Sequence, residues 1–228
     1  MLFQTLRKGR DTLKMGRAFI RLVQDPNRLD EVFDMADAMD RNEEVIQPIL
    51  EAFAATESGA AGLRNQPRVV IDMPYLKGLP EGTLGRAFAT FVEGEGIDPA
   101  SLFRDRPVAD EKEWLFEHLF ETHDIWHVVT GFGTDVAGEL GLQAFYLAQF
   151  PARLGNLLIA AGLLNTFLFR FDDRIPRMGE IAKGWTMGRQ AQPLLGIDWT
   201  SLWDRKLEDV RRELAITAAD LTRVSLAA

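Results

Sequence analysis

Along the first two dozen residues, Leu6, Leu13 and Ile20 recur every seven positions, with Phe3, Phe19 and Val23 nearby. Arg7, Arg10, Lys14, Arg17 and Arg21 recur between them at spacings of three and four. The pattern predicts an amphipathic helix over 2–23 with one basic face. Asp25-Pro26-Asn27 breaks it, and helical patterns resume over 29–39 and 43–55. From Ser58 to Pro80 the pattern is irregular, punctuated by Pro67, Pro74 and Pro80. Within it, Arg68 to Met73 reads equally as a short strand with no visible partner or as an extended loop. Thr83 is placed to cap a helix over 84–92, which Gly94, Gly96 and Pro99 end. A strong helix covers 111–130. Gly131 and Gly133 interrupt it, and Thr134 and Asp135 are good starters for the next helix, which reaches Phe150. Pro151 marks a restart before a very apolar helix over 154–169. A loop over 172–178 and helices over 179–190 and 199–214 complete the chain. Strand signals are few and no repeat is visible, so the expected fold is all-α, a single multi-helix domain. Residues 1–24 form its basic amphipathic N-terminal helix, and 25–228 its all-helical body.

The stretch from Phe145 to Phe169 has apolar residues on more than one helical face, among them Tyr146, Phe150, Leu157, Leu164 and Phe167. This predicts a central core helix. The alternative is that one face lines a tunnel for a lipid tail or meets a membrane. The basic face of the first helix has two readings as well: a solvated face of a docked helix, or contact with an anionic membrane surface.

Composition narrows the chemistry. The 228 residues are 46% hydrophobic and 26% charged, as in a globular domain with a sizeable core. There is no cysteine, which excludes disulfides, iron–sulfur clusters, thiolate metal sites and a cysteine nucleophile. A reducing cytosol fits, and any metal must bind through histidine and carboxylate. The net charge of −8 argues against nucleic-acid binding. Residues 1–24 carry six Lys or Arg and a single Asp, so the rest of the chain is more acidic than that total. No secretory signal is visible, and the best candidate span, 154–169, is too short and contains Asn156 and Asn165.

All three histidines, His118, His123 and His127, lie within ten residues. His123 and His127 are four apart on the helix over 111–130, so both rings face the same way, as when a helix offers two imidazoles to one ion. Asp124 lies on the neighbouring strip and can be a third ligand or orient an imidazole. Glu139 would point elsewhere on a continuous helix, but the glycine break lets a second helix return it to the same point. Two nitrogens with one or two carboxylates suit a divalent ion, zinc first, with iron or manganese as alternatives. His118, five residues before His123, is off the shared face and reads as a surface or supporting residue.

The run His123-Asp124-Ile125-Trp126-His127 with Glu139 matches H-D-x-x-H-x(11)-E. It resembles the signature of the ubiquinone (coenzyme Q) biosynthesis protein family called Coq-four. Leu79–Pro99 and the tail from Ile181 to Ile216 are similar as well, so the resemblance covers most of the chain after Arg28. One departure is that Glu117–Thr122 lacks the arginines expected before the H-D pair. The resemblance implies a role in ubiquinone assembly: removal of the carboxylate from ring carbon one of a polyprenylated hydroxybenzoate, with or without coupled hydroxylation. It also implies a prenylated quinone precursor and other ubiquinone biosynthesis proteins as partners, with a homodimer left open. The location it implies is cytoplasmic and peripheral to the inner membrane, or the matrix side in a mitochondrion. On this view His123, His127 and Glu139 bind the metal, Asp124 joins them or orients an imidazole, and Glu139 or Asp124 handles a proton. Two other readings stand beside it: a non-catalytic prenyl-lipid scaffold with a structural metal, and a metallohydrolase of the H-D type. The hydrolase ranks last because it needs dispersed histidines that this chain lacks.

Overall fold

The structure, a computed structural model, describes residues 2–40, 43–102 and 108–217; the side chains of 2–12, 29, 37–40 and 43 are outside it. Phe3, Leu6, Arg7 and Arg10 of the amphipathic pattern are therefore outside the described side chains. Eleven α-helices follow one another among the described residues: α1 Leu2–Gln24, α2 Leu29–Asp40, α3 Glu43–Ala54, α4 Glu57–Asn65, α5 Met73–Gly78, α6 Leu84–Gly94, α7 Glu111–Thr130, α8 Val136–Gln149, α9 Arg153–Phe169, α10 Arg174–Gln190 and α11 Leu207–Glu213. An isolated β-bridge, Thr83 with Lys206, builds no strand among the described residues. The all-α single domain expected from the sequence is what the chain forms.

Caps explain where the central helices start. The Thr83 hydroxyl accepts from Arg86 N–H, and the Asp110 carboxylate accepts from the N–H groups of Lys112 and Glu113. Each satisfies donors that the first helical turn leaves without partners. α7 runs through the main core: Trp114, Leu115, Ile125, Trp126 and Val129 are buried among Leu84, Phe88 and Val92 of α6 and Leu142 and Phe145 of α8. A second cluster of Ala18, Leu22, Val23, Met35 and Ala161 joins α1, α2 and α9. α8 and α10 touch backbone to backbone: a Cβ on Gly184 would stand 1.9 Å from the carbonyl oxygen of Gly141, so no other residue fits there.

Four stretches differ from the sequence reading, each for a physical reason. The irregular region holds two short helices. α4 is capped by Thr56, whose Oγ1 accepts from Gly59 N–H, and its Ser-Gly-Ala-Ala-Gly run shows no apolar period. α5 is capped by Asp72, with Pro74 in the first turn, where a missing N–H costs nothing. Between them Arg68–Asp72 is extended, and side chains rather than a strand bind its backbone. Trp114 Nε1 donates to Pro67 O, Trp203 Nε1 to Val70 O, Val70 N to Thr200 Oγ1, and Val69 N to the buried carboxylate of Glu121, which also pairs with Arg68. α10 begins at Arg174 and absorbs most of the expected loop, with Pro176 tolerated in its first turn. The expected helix over 199–214 is a 3-10 turn, Trp199–Leu202, then α11. The carbonyls of Trp203 and Arg205 instead accept from Gly85 and Leu84 N–H, completing the start of α6.

His118 is a core residue and not a surface one. It is almost fully buried, stacks on Trp114 at 4.7 Å, and its Nε2 accepts from Gly196 N–H at 3.1 Å. Burial, with a smaller push from the Arg68 charge, lowers its pKa from 6.5 to about 4. Between those values the unfolded chain takes up a proton that the folded chain refuses. The stabilisation is complete above pH 6.5 and is lost as pH falls toward 4, by about 3 kcal/mol. Urea unfolding of the wild type over this range should show that slope, and His118→Gln, which keeps an acceptor for Gly196, should lack it.

Candidate metal centre

α7 is buried over most of its length, and its fourth and fifth turns carry a half-buried His123 and a buried His127 on one face. Phe91 of α6 stacks on the His127 ring at 5.7 Å, and Tyr146 of α8 stacks beside His123 at 6.2 Å. The Trp126 ring lies parallel to Tyr146 at 4.5 Å. The two imidazoles thus have aromatic neighbours from α6 and α8, with Trp126 packed on Tyr146 in the core.

The turn after α7 fixes which nitrogen of His127 is free. Gly131, at φ 79°, ends the helix with its N–H on the carbonyl of His127, and Phe132 follows. His127 Nδ1 stands 3.1 Å from the carbonyl of Phe132, an acceptor only, so Nδ1 carries the proton and donates it. Nε2 is then the nitrogen that faces the site, where giving up its proton leaves a lone pair for an ion, the arrangement that metal-binding imidazoles use. Asp135 caps α8 through Gly138 N–H and sets Glu139 in the first turn. Arg211 of α11 donates to the carbonyls of Val128 and Val129, holding the end of α7 in place.

The result is a convergence of donors. His123 Nε2 and His127 Nε2 are 3.3 Å apart, and Glu139 Oε1 is 3.2 Å from His127 Nε2. The ligand atoms of His123, Asp124 and His127 all lie within 4.8 Å of one another. Two ligands each about 2.0–2.1 Å from a zinc ion at a tetrahedral angle are themselves about 3.3 Å apart. Two imidazoles with carboxylates suit zinc, and iron or manganese after it. The residues therefore fit a divalent ion in chemistry and in spacing.

The electrostatics point the same way. Burial disfavours charge on His127, but the Glu139 carboxylate more than offsets this and raises its pKa. On His123 burial wins over the attraction of Glu139, and the neighbouring His127 adds to it, so its pKa is lowered. Burial opposes the charge on Glu139, yet its hydrogen bond with His127 lowers its pKa and keeps it ionised. Burial and the two carboxylates Glu139 and Asp124 push Tyr146 well above its ordinary value, so its hydroxyl keeps its proton.

The chain thus brings His123, Asp124 and His127 together and sets Glu139 against His127, while His118 is in the core on the far side of α7's histidine strip. Three neighbours did not emerge from the sequence as site residues: Tyr146, whose hydroxyl is 3.4 Å from His123 Nδ1, Phe91 and Arg211. Tyr146 had a usable signal, since seven residues after Glu139 is the same face of α8. Phe91 and Arg211 come from distant segments and had none.

The chain matches the family described as Coenzyme Q (ubiquinone) biosynthesis protein Coq4 over residues 4–220. A protein of Talaromyces stipitatus named ubiquinone biosynthesis protein coq4, mitochondrial, is 28% identical over 215 residues, 92% of this chain and 72% of that protein. A protein of the same name from Aspergillus fumigatus is 28% identical over 214 residues, 91% of this chain and 72% of its own length. A crystal structure of a Nostoc punctiforme protein assigned to ubiquinone biosynthesis superposes with a TM-score of 0.77 at 30% identity, covering 90% of this chain and 98% of that one.

The turn itself can be tested. A Cβ on Gly138 would stand 2.1 Å from the carbonyl oxygen of Gly133, a backbone atom that cannot swing aside. Gly138→Ala should cost about 2 kcal/mol and lower the thermal midpoint by several degrees. An unchanged midpoint by circular dichroism would show that the turn is not held as described.

Proposed function

We propose a metal-dependent reaction for this chain, which belongs to the coenzyme Q (ubiquinone) biosynthesis protein Coq4 family: removal of the carboxylate from ring carbon one of a prenylated hydroxybenzoate. That it is a ubiquinone biosynthesis protein follows from the family. The decarboxylation is supported by one observation above others, the two imidazole Nε2 atoms 3.3 Å apart with a carboxylate at 3.2 Å.

In this reading His123, His127 and Glu139 hold the ion. A divalent ion bound there would supply positive charge to orient a substrate carboxylate and to stabilise negative charge as it develops. Loss of carbon dioxide breaks the bond between the ring and the carboxyl carbon, and the electron pair stays on the ring carbon, which then needs a proton. Asp124, beside the ligands, passes that proton, or Glu139 does where it is not itself a ligand. Phe91 and Tyr146 flank the two imidazoles and bring apolar, flat surfaces to the site. A prenylated substrate brings the protein to a membrane surface, with other ubiquinone biosynthesis proteins as its partners there. No described helix is long and apolar enough to cross a membrane.

The grouping of Asp124 with both histidines favours a second reading. With Asp124 as a fourth protein ligand the shell is closed, as in structural zinc sites, and the protein is a scaffold for prenyl lipids and for its partner proteins.

The test is incubation of zinc-, iron- or manganese-loaded protein with a prenylated hydroxybenzoate, following carbon dioxide release and product mass. His127→Ala should lose its equivalent of metal by elemental analysis and about a thousandfold in turnover. Unchanged metal content in that variant would overturn the ligand assignment. Full metal content without turnover under any metal would favour the scaffold.

A further inference from the structure

Of the apolar stretch from Phe145 to Phe169, the large side chains that enter the core come from the end of α8. Phe145 and Tyr146, with Phe150 just beyond the helix, are buried. The buried residues of α9 are small or polar, Gly155, Ala161, Gly162, Asn165 and Thr166, while its Phe167 and Leu168 are exposed. The central core position expected for the helix over 154–169 is therefore not the one it takes. Among the three buried rings Tyr146 alone has a polar end. Trp126 lies parallel to its ring at 4.5 Å and Phe150 stands edge-on to it at 5.6 Å, so aromatic packing holds the ring in place. A phenylalanine would serve that packing as well, as Phe150 shows one turn further on. Burying a hydroxyl is unfavourable unless it finds a partner. The partner here is a candidate metal ligand, since the Tyr146 hydroxyl stands 3.4 Å from His123 Nδ1.

We propose that Tyr146 is the positioning residue for His123: its hydroxyl oxygen accepts the Nδ1 proton and so commits Nε2 to the ion. The proposal rests on the reading of His123 and His127 as ligands, and it supplies the outer partner that this reading leaves open for one of them. His127 has such a partner in the carbonyl of Phe132. His123 meets His127 through Nε2, and a neutral imidazole that gives Nε2 to an ion carries its proton on Nδ1. Donating that proton to an oxygen fixes the ring and makes the other nitrogen a better ligand. At 3.4 Å the contact is long for a hydrogen bond, and contacts of this kind tighten once the ring is engaged by a ligand.

Helix register makes the pairing specific. Glu139 and Tyr146 are seven residues apart, on one face of α8. α8 runs back along α7, so its earlier residue meets the later histidine and its later residue the earlier one. Glu139 thus stands at His127 and Tyr146 at His123. The two imidazoles are held differently as a result. His127 is fixed by the backbone of the turn, and His123 by a single side-chain oxygen that one substitution removes.

Tyr146→Phe takes away that oxygen and keeps the ring on which Trp126 and Phe150 pack. The probe is zinc alone, with affinity for the full chain measured by chelator competition. The variant should bind zinc about tenfold more weakly than the wild type, with little change in the circular dichroism or thermal midpoint of the metal-free protein. Tyr75, the other tyrosine of the chain, pairs with Asp204, and Tyr75→Phe should leave zinc affinity unchanged. A packing role alone would not set the tautomer. In the zinc-loaded wild type, nitrogen NMR of the imidazoles should show a proton on His123 Nδ1. The ring-carbon signal next to the Tyr146 hydroxyl should shift as zinc is added, and that of Tyr75 should not. Unchanged zinc affinity in Tyr146→Phe overturns the proposal, and so does a zinc-loaded wild type in which His123 binds through Nδ1. The second measurement needs no variant and decides the matter even if Tyr146→Phe fails to fold. A wild type that takes up no zinc, iron or manganese removes the ligand reading and this proposal together. Tight zinc binding that ignores Tyr146 removes this proposal alone.

Discussion

The hydrogen bond from His127 Nδ1 to the carbonyl of Phe132 is the contact on which the candidate centre depends. It joins a side chain deep in α7 to the turn that reverses the chain into α8, so the tautomer of the imidazole is a property of the turn. The turn in turn needs Gly131 in the left-handed region, Asp135 as a cap and the bare face of Gly138 against Gly133. Arg211 closes the assembly from outside by taking up two carbonyls at the end of α7. Loosening any of these would let Nε2 of His127 swing away from His123 and Glu139.

Two carboxylates near α7, Glu121 buried and Glu139 partly exposed, sit in contrasting surroundings. Glu121 accepts from Arg68 and from Val69 N–H, and its charge is matched by a guanidinium fixed in the fold. Its office is to anchor the extended Arg68–Asp72 segment. Glu139 faces two imidazoles, of which burial discharges one and the carboxylate itself favours charge on the other. That balance suits an ion with more than one positive charge better than a single proton.

The polar network inside α9 and α10 has the opposite effect from a usual core. Arg177, Asn165 and Thr166 hold the inner face, and by doing so they commit leucines and phenylalanines to the outside. The chain forgoes the burial of several large side chains, each worth about 1.5–3 kcal/mol. The candidate centre and the exposed apolar face are connected through α8, where Leu140 packs against Gly162 beside Glu139.

Local pattern made much of this protein legible in its sequence. The periods of α1, α6, α7 and α8, with the caps at Thr83 and Asp135, depend on residues three or four apart. The pairing of His123 with His127 does too, and the glycine break placed Glu139 within reach. What the sequence could not show depends on distant partners. α4 has no apolar stripe, because small residues allow it to pack. The 199–214 segment gives up helical bonds to complete α6. His118 looks like any polar residue until Gly196 reaches it, and Phe91 and Arg211 come to the centre from helices far along the chain. The apolar helix was visible, but not which of its faces would be covered. Hydrophobicity records what a residue would gain by burial, and only the tertiary structure, through the Arg177 network, decides which side is buried.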